Sequence, residues 1–323
     1  MKRSLPILLC SMALFWASDS SAQSYVEEVI HYPGSLYTTT TGVNDLGQVV
    51  GYYGGDDYGG FIYDGQEYTD FVPGFTATGI NNNGQAIGWT SDWGGAFYDG
   101  KELLDIDYPG AQFSQALDIN NEGQVLGSYS MDGVEYKNYI YDSGEFTALD
   151  LAFPGAYSTL ASGFNDNGDL VGSYDPDPNS LYNSMGFIFK DNGFTDVDHP
   201  YSGEFDSTFL VDINNSGQVV GGYINELLES ANFLYEDGAF TELPSMYTDM
   251  SYVYGINDLG QIVGSFYGPY NGEYEDLDHG FLLTPFTTAS NIIRTNASVP
   301  EPSALLLLAG SFAGVIALRK RIR

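Results

Sequence analysis

The sequence predicts an all-β protein, a six-bladed β-propeller whose last blade is completed by a strand from the N-terminus. Three observations carry the prediction. One ten-residue phrase recurs six times, at a mean spacing of about 43 residues, the length of one propeller blade. Each of the first five units around it holds four short segments rich in aromatic and β-branched residues, with no helical spacing. The fourth segment is missing from the last unit and stands instead ahead of the first.

The phrase opens on an apolar residue and an Asn, reaches a Gly three positions later, and continues as Gln-Val-Val-Gly or a close variant. Its Asn and Gly fall at Asn44 and Gly47, Asn81 and Gly84, Asn120 and Gly123, Asn165 and Gly168, Asn214 and Gly217, and Asn257 and Gly260. An Asn side chain hydrogen-bonds forward to the backbone, and Gly takes the positive φ that other residues resist, so the phrase reads as a tight hairpin. A second Gly, at 51, 88, 127, 172, 221 and 264, sits inside the return strand, where Gly marks a bulge or a close backbone approach. A third strand follows, as in Gly60-Phe-Ile-Tyr-Asp64 or Asn138-Tyr-Ile-Tyr-Asp142. A fourth tends to end in Pro-Gly, as in Leu104-Asp-Ile-Asp-Tyr-Pro-Gly110. After the sixth unit no such segment follows, whereas Tyr25-Val-Glu-Glu-Val-Ile-His-Tyr-Pro-Gly34 precedes the first. An N-terminal strand that closes the ring accounts for the displacement. An open β-solenoid, the alternative architecture, would not need it.

The two ends read as processing signals. Lys2 and Arg3 precede an apolar run from Leu5 to Trp16 and then small residues ending at Ala22, the order of a secretory signal peptide cleaved after Ala22. At the other end Pro300, Glu301 and Pro302 precede an uncharged stretch from Ser303 to Leu318, followed by Arg319, Lys320 and Arg321. That stretch reads as a short transmembrane helix, with the basic cluster holding its end on the cytoplasmic side. These parts together resemble the PEP-CTERM sorting signal. The resemblance implies an exosortase-type membrane protease as partner, cleavage near the triplet, and a bacterium that makes exopolysaccharide and builds biofilm. The expected organisation is a signal peptide (1–22), a six-repeat propeller (23–287), a linker (288–298) and the sorting signal (299–323).

The repeat units also resemble the extracellular HAF-repeat family, named for a His-Ala-Phe sequence at the third strand. Only His279-Gly280-Phe281 keeps the His; elsewhere Gly-Phe, Ala-Phe, Asn-Tyr or Asn-Phe stands there. What the resemblance implies is architecture and an extracellular location.

Charge narrows the function. Between Gln23 and Pro300 there are 41 acidic and four basic residues, a formal charge of −37. Such a surface repels nucleic acid phosphates and anionic headgroups, so no nucleic acid partner is expected, and contact with membrane is expected only through the C-terminal helix before processing. The only cysteine, Cys10, falls in the signal peptide, so disulfides and thiol chemistry drop out of the mature chain.

Candidate sites are few. Asp118, Asn120 and Glu122, and likewise Asp212 and Asn214, place oxygen donors at alternate positions before a Gly, as the start of a calcium loop does, but neither run supplies the later acidic ligand. An Asn-Gly turn explains all six copies, and calcium is the one cation the pattern suggests. Asp56-Asp57, Asp175-Pro-Asp177 and the acids from Glu273 to Asp278 crowd the variable loops, where propellers place specificity. Three His (His31, His199 and His279) lie far apart in sequence, and His31 and His199 read as equivalent positions of the fourth segment, near a Pro. No nucleophile elbow, phosphate loop or zinc-protease motif is present, so catalytic residues and cofactors are not expected. The sequence thus reads as an exported, non-enzymatic surface protein associated with exopolysaccharide through its propeller loops. A glycan-cleaving propeller would instead set a carboxylate pair facing a central pocket, and a calcium-stiffened module is the third reading.

Overall fold

The structure, a computed structural model, describes residues 23–55, 57–90, 94–177, 184–200, 207–224, 230–244, 251–269 and 277–286. The expected signal peptide with Ala22, the linker, and the sorting signal with Pro300, Glu301, Pro302, Arg319, Lys320 and Arg321 lie outside them. The chain separates into two units, Met1–Pro285 and Phe286–Arg323, and the propeller is built from the first.

Six four-stranded antiparallel sheets form the blades. Blade 1 holds β2 (Tyr37–Val43), β3 (Val49–Gly54), β4 (Gly59–Tyr63) and β5 (Tyr68–Asp70). Blade 2 holds β6 (Phe75–Ile80), β7 (Ala86–Thr90), β8 (Gly95–Tyr98) and β9 (Leu103–Asp105). Blade 3 holds β10 (Phe113–Ile119), β11 (Val125–Ser130), β12 (Lys137–Asp142) and β13 (Glu145–Leu149). Blade 4 holds β14 (Ser158–Phe164), β15 (Leu170–Asp175), β16 (Met185–Lys190) and β17 (Gly193–Val197). Blade 5 holds β18 (Ser207–Ile213), β19 (Val219–Ile224), β20 (Ser230–Glu236) and β21 (Ala239–Glu242). Blade 6 runs β22 (Ser251–Ile256), β23 (Ile262–Gly268) and β24 (Leu277–Phe286), and its outer strand is β1 (Ser24–Ile30), so the N-terminal strand closes the ring. That closure rules out the open solenoid.

Burial explains why the blades stay together. Among the described residues six apolar clusters form, and each draws on two neighbouring blades. The seam between blades 6 and 1, for example, joins Ile30, Val263 and Leu282 to Val43, Val49 and Phe61. Every innermost strand carries a β-bulge, at Thr41, Thr78, Leu117, Ser162, Val211 and Tyr254. The second Gly of each phrase pairs with the residue just before the bulge, for instance Gly51 with Thr40, and a Cβ on Gly51 would lie 2.0 Å from the Thr39 carbonyl oxygen. Close approach is therefore what these glycines serve, and the bulge belongs to the strand opposite.

The Xaa-Pro segments between blades form a repeated clamp. Tyr32, Tyr108, Phe153 and His199, each directly before a Pro, stack on Tyr53, Tyr129, Tyr174 and Tyr223 of the following blade, with centroids 3.7, 3.7, 3.8 and 3.9 Å apart. Their backbone N–H groups donate to Thr38, Ser114, Thr159 and Thr208 hydroxyls. His199 is thus the counterpart of Tyr32. The expected equivalence of His31 with His199 is corrected: the His31 ring lies instead 5.3 Å from that of His279.

Candidate functional site: the central channel

The innermost strands and their hairpins surround a cavity of about 400 Å³ on the propeller axis. Its floor is built by the repeated phrase. In each copy the Asn Oδ1 accepts from two backbone N–H groups of its own turn, as Asn44 does from Leu46 and Gln48, and the following Gly has φ between +71° and +84°. The Asn Nδ2 then reaches the next blade. Asn44 donates to the Asn81 carbonyl, Asn81 to Asn120, Asn165 to Asn214, Asn214 to Asn257, and Asn257 back to Asn44, at 2.8–3.1 Å.

One residue further on a second ring closes all six steps. The N–H groups of Asp45, Asn82, Asn121, Asp166, Asn215 and Asp258 each donate to the side-chain oxygen of the next member, at 2.7–2.9 Å. Amide and carboxylate neighbours share further bonds, such as those from Asn215 Nδ2 to Asp166 and Asp258. Buried backbone donors at the centre are thereby satisfied around the full circle.

Above this floor the wall is asymmetric. At the position before the apolar residue of the phrase, four blades carry Gly, and blades 3 and 5 carry Asp118 and Asp212. Each Asp accepts from the N–H next to it and from one in the following blade. Asp118 takes Ile119 and Phe164 at 2.7 and 2.9 Å, and Asp212 takes Ile213 and Ile256 at 2.7 and 2.8 Å. The two carboxyls also lie within hydrogen-bond reach of each other across blade 4. Gly163 leaves the room: a Cβ there would fall 2.8 Å from the Asp212 Cα.

Enclosure of the carboxyls, more than their mutual repulsion, raises the Asp118 pKa well above the usual carboxylate range. Burial likewise pushes Asp212 up to about 6. Two adjoining carboxyls of this kind hold one proton between them.

A pH dependence results. Between about pH 4 and 6 Asp212 binds more protons in the folded than in the unfolded chain, so its contribution is fully present below about pH 4 and is lost as pH rises through 6, and Asp118 acts in the same direction. For a shift of about two pKa units the loss is about 3 kcal/mol. The melting temperature is expected to fall between pH 5 and pH 7, and Asp118→Asn is expected to reduce that fall. An undiminished fall in the variant would place its origin elsewhere on this acidic chain.

The candidate calcium ligands have other partners in this geometry. Asn120 Oδ1 is occupied by Glu122 and Gln124 N–H groups, and Asn214 Oδ1 by Ser216 and Gln218. Asp118 and Asp212 face the channel and meet each other instead of the rest of their own loops. Among the described residues no three His, Cys, Asp or Glu side chains converge on a metal position. Of the loop acids, Asp175 accepts from the Ser158 and Ser184 hydroxyls, while Asp56 and the acids at 273–276 lie outside the described residues.

Opposite the carboxyl pair the wall is aromatic. Tyr254, Tyr52 and Trp89, from the consecutive blades 6, 1 and 2, line the same cavity. Their sequence signal is faint but present. Tyr52 and Trp89 follow the second Gly of the phrase, where the other blades carry Ser128, Ser173, Gly222 and Ser265. The channel lining contains Asp45, Asp118, Asp166, Asp212 and Asp258, and among its residues there is no Lys, Arg or His.

Fold and closure define a six-bladed β-propeller. Residues 298–321 match the PEP-CTERM protein-sorting motif, which implies an exported protein sorted to the cell surface by exosortase. No curated protein matches the chain. Similar solved structures include the Pyrococcus horikoshii acylaminoacyl peptidase, at 12% identity and TM-score 0.47 over 80% of this chain and 46% of that one. The β-propeller domain of the Trilobed protease from Pyrococcus furiosus is similar at 10% identity and TM-score 0.45, over 76% and 82% of the two chains. SapL1 lectin in complex with alpha methyl fucoside is similar at 11% identity and TM-score 0.46, over 72% and 88%. The chain thus spans about half the length of the acylaminoacyl peptidase.

Proposed function

We propose that this is a non-enzymatic propeller displayed at the cell surface, where it binds polysaccharide of the surrounding biofilm matrix. The observation that carries the reading is the aromatic arc of Tyr254, Tyr52 and Trp89 on one side of an open, hydroxyl-bearing channel. Flat aromatic faces with a few convergent polar groups suit a sugar ring. The sorting motif and the HAF-type resemblance of the repeats accord with an extracellular ligand. Exposed Tyr58, Tyr136 and Tyr157, outside the channel, extend the aromatic surface a longer chain could touch.

The carboxyl pair argues against glycan cleavage. Glycosidases hold their two carboxyls about 5 to 9.5 Å apart, leaving room for the sugar carbon or a water. Asp118 and Asp212 lie within hydrogen-bond reach of each other and tie blade 3 to 4 and blade 5 to 6, which is work for a brace. The test is titration of the purified protein with a panel of neutral and charged polysaccharides, with products checked for chain shortening. Binding without shortening is expected, and Trp89→Ala should weaken it at least about tenfold, the loss of one well-buried aromatic contact. Shortened chains would overturn the non-enzymatic reading, and binding untouched by Trp89→Ala would remove it from the channel.

A further inference from the structure

Resting on that reading, we infer that the channel takes a sugar residue bearing a protonated amine, with its ring face on Tyr52, Trp89 and Tyr254 and its ammonium turned toward the carboxyls of Asp118 and Asp212.

The wall of the channel has two unlike sides. A channel that only braced six similar blades would repeat the same residue around its circle, as the two Asn and Asx rings of the floor do. Above the floor the repeat is broken in a coordinated way. Blades 6, 1 and 2 have Gly255, Gly42 and Gly79 where the acids would stand, and they supply the three aromatic side chains. Blades 3 and 5, on the facing side, supply the two acids, and blade 4 between them has Ser162 and Gly163. An apolar half therefore faces an anionic half across a space of about 400 Å³, room for a ligand of one or two sugar rings and within the usual range of small-molecule sites.

The charge is of one sign. Five carboxyl groups line the cavity and no basic side chain does, so the field inside favours a cation and repels a uronic acid or a sulfated sugar. The carboxyls keep capacity to receive it. Each Asp118 and Asp212 oxygen accepts one backbone N–H, and the proton the pair shares occupies one acceptor site more; a carboxylate offers about four in all, so the pair keeps one negative charge and free lone pairs. An ammonium with three donors can use them. Calcium or magnesium fits less well: each demands six or more oxygen ligands, and the Asn oxygens of the turns are already committed. Aromatic faces add attraction for an organic cation that they do not add for a neutral sugar.

The test is calorimetric titration of the full chain at pH 7 with a glucosamine tetramer, its N-acetylated counterpart, a glucose tetramer and tetralysine. The glucosamine tetramer is expected to bind at least about tenfold more tightly than the other two sugars, and tetralysine to bind no better than they do. Trp89→Ala should reduce affinity for every sugar. Asp118→Asn should erase the preference for the amine, bringing the glucosamine tetramer to the affinity of the glucose tetramer. Should Asp118→Asn fail to fold, Tyr254→Ala, at a half-exposed bulge position, tests the same cavity from the opposite wall, and the wild-type comparison of sugars stands without any variant. Equal binding of glucosamine and glucose tetramers would overturn the amine assignment while leaving the glycan reading intact. Binding of none of the sugars would overturn both. Tetralysine binding as tightly as the glucosamine tetramer would reduce the effect to the attraction of a polycation by an acidic protein, and would likewise overturn it.

Discussion

A chain without Ser24–Ile30 is expected to melt at least about 10 °C lower than the intact protein, and to self-associate, because β1 is both the fourth strand of blade 6 and a wedge between blades 6 and 1. Ile30, 1% exposed, packs among Val43, Val49, Phe61, Val263 and Leu282, and full burial of one such side chain contributes about 2–3 kcal/mol. Tyr25 and Val29 pack on the cluster joining blades 5 and 6, so the strand touches both neighbours of its own seam. Removing it also uncovers β24, ten residues long with five consecutive buried positions from His279 to Leu283, as an edge open to pairing. Melting followed by circular dichroism, with sedimentation to detect association, checks both parts. Ile30→Ala provides the graded version, expected to cost about 3 kcal/mol through lost burial and the cavity left behind. A truncated chain that melts within a few degrees of the intact one would mean that closure contributes little and that five complete blades hold the sixth.

The legibility of this closure depended on periodicity. A Pro-Gly segment missing from one end of a six-fold series and present at the other is a statement about topology, readable without coordinates because the chain repeats itself. The Asn-Gly turns were legible for the same reason. What periodicity hid is whatever differs between copies or joins residues far apart in the chain. Asp118 and Asp212 stand out in the sequence as local oxygen donors, since sequence neighbours are what a calcium loop uses. Their real partners are each other and N–H groups one blade away, at Phe164 and Ile256. Tyr52 and Trp89 are large where four other blades are small, a signal available in the alignment of the repeats but without meaning until the ring is closed. His279 meets His31 because β1 crosses from one end of the chain to the other, a contact no spacing rule reaches. The third-strand Asn is a similar case. Asn138 replaces the Gly of other copies and bonds both the Ala161 N–H and the Ala161 and Gly127 carbonyls, linking blades 3 and 4.

The second large effect is expected at a glycine. Gly88→Ala should cost at least about 4 kcal/mol, a value reached only where a core contact is impossible to accommodate. A Cβ there would stand 1.9 Å from the Thr76 carbonyl oxygen, 2.8 Å from its carbon and 2.9 Å from the Phe75 ring. Two of the three obstacles are backbone of β6, and the third is a ring with no exposed surface, so nothing flexible can yield. Relief requires β6 and β7 to part, which breaks the pairing of Gly88 with Ala77 and displaces the bulge at Thr78 that faces the channel. Trp89 is the next residue, so a folded fraction should also lose sugar binding. Gly84→Ala supplies the contrast within the same hairpin. Its φ is +75° and nothing lies within 4 Å of the added Cβ, leaving only the left-handed penalty of about 1–2 kcal/mol. Melting both variants side by side separates the two roles that glycine plays in the repeat. If Gly84→Ala proved the more damaging, the turn conformation would govern the blade; the reverse order, which the distances require, assigns that control to the contact between the two inner strands.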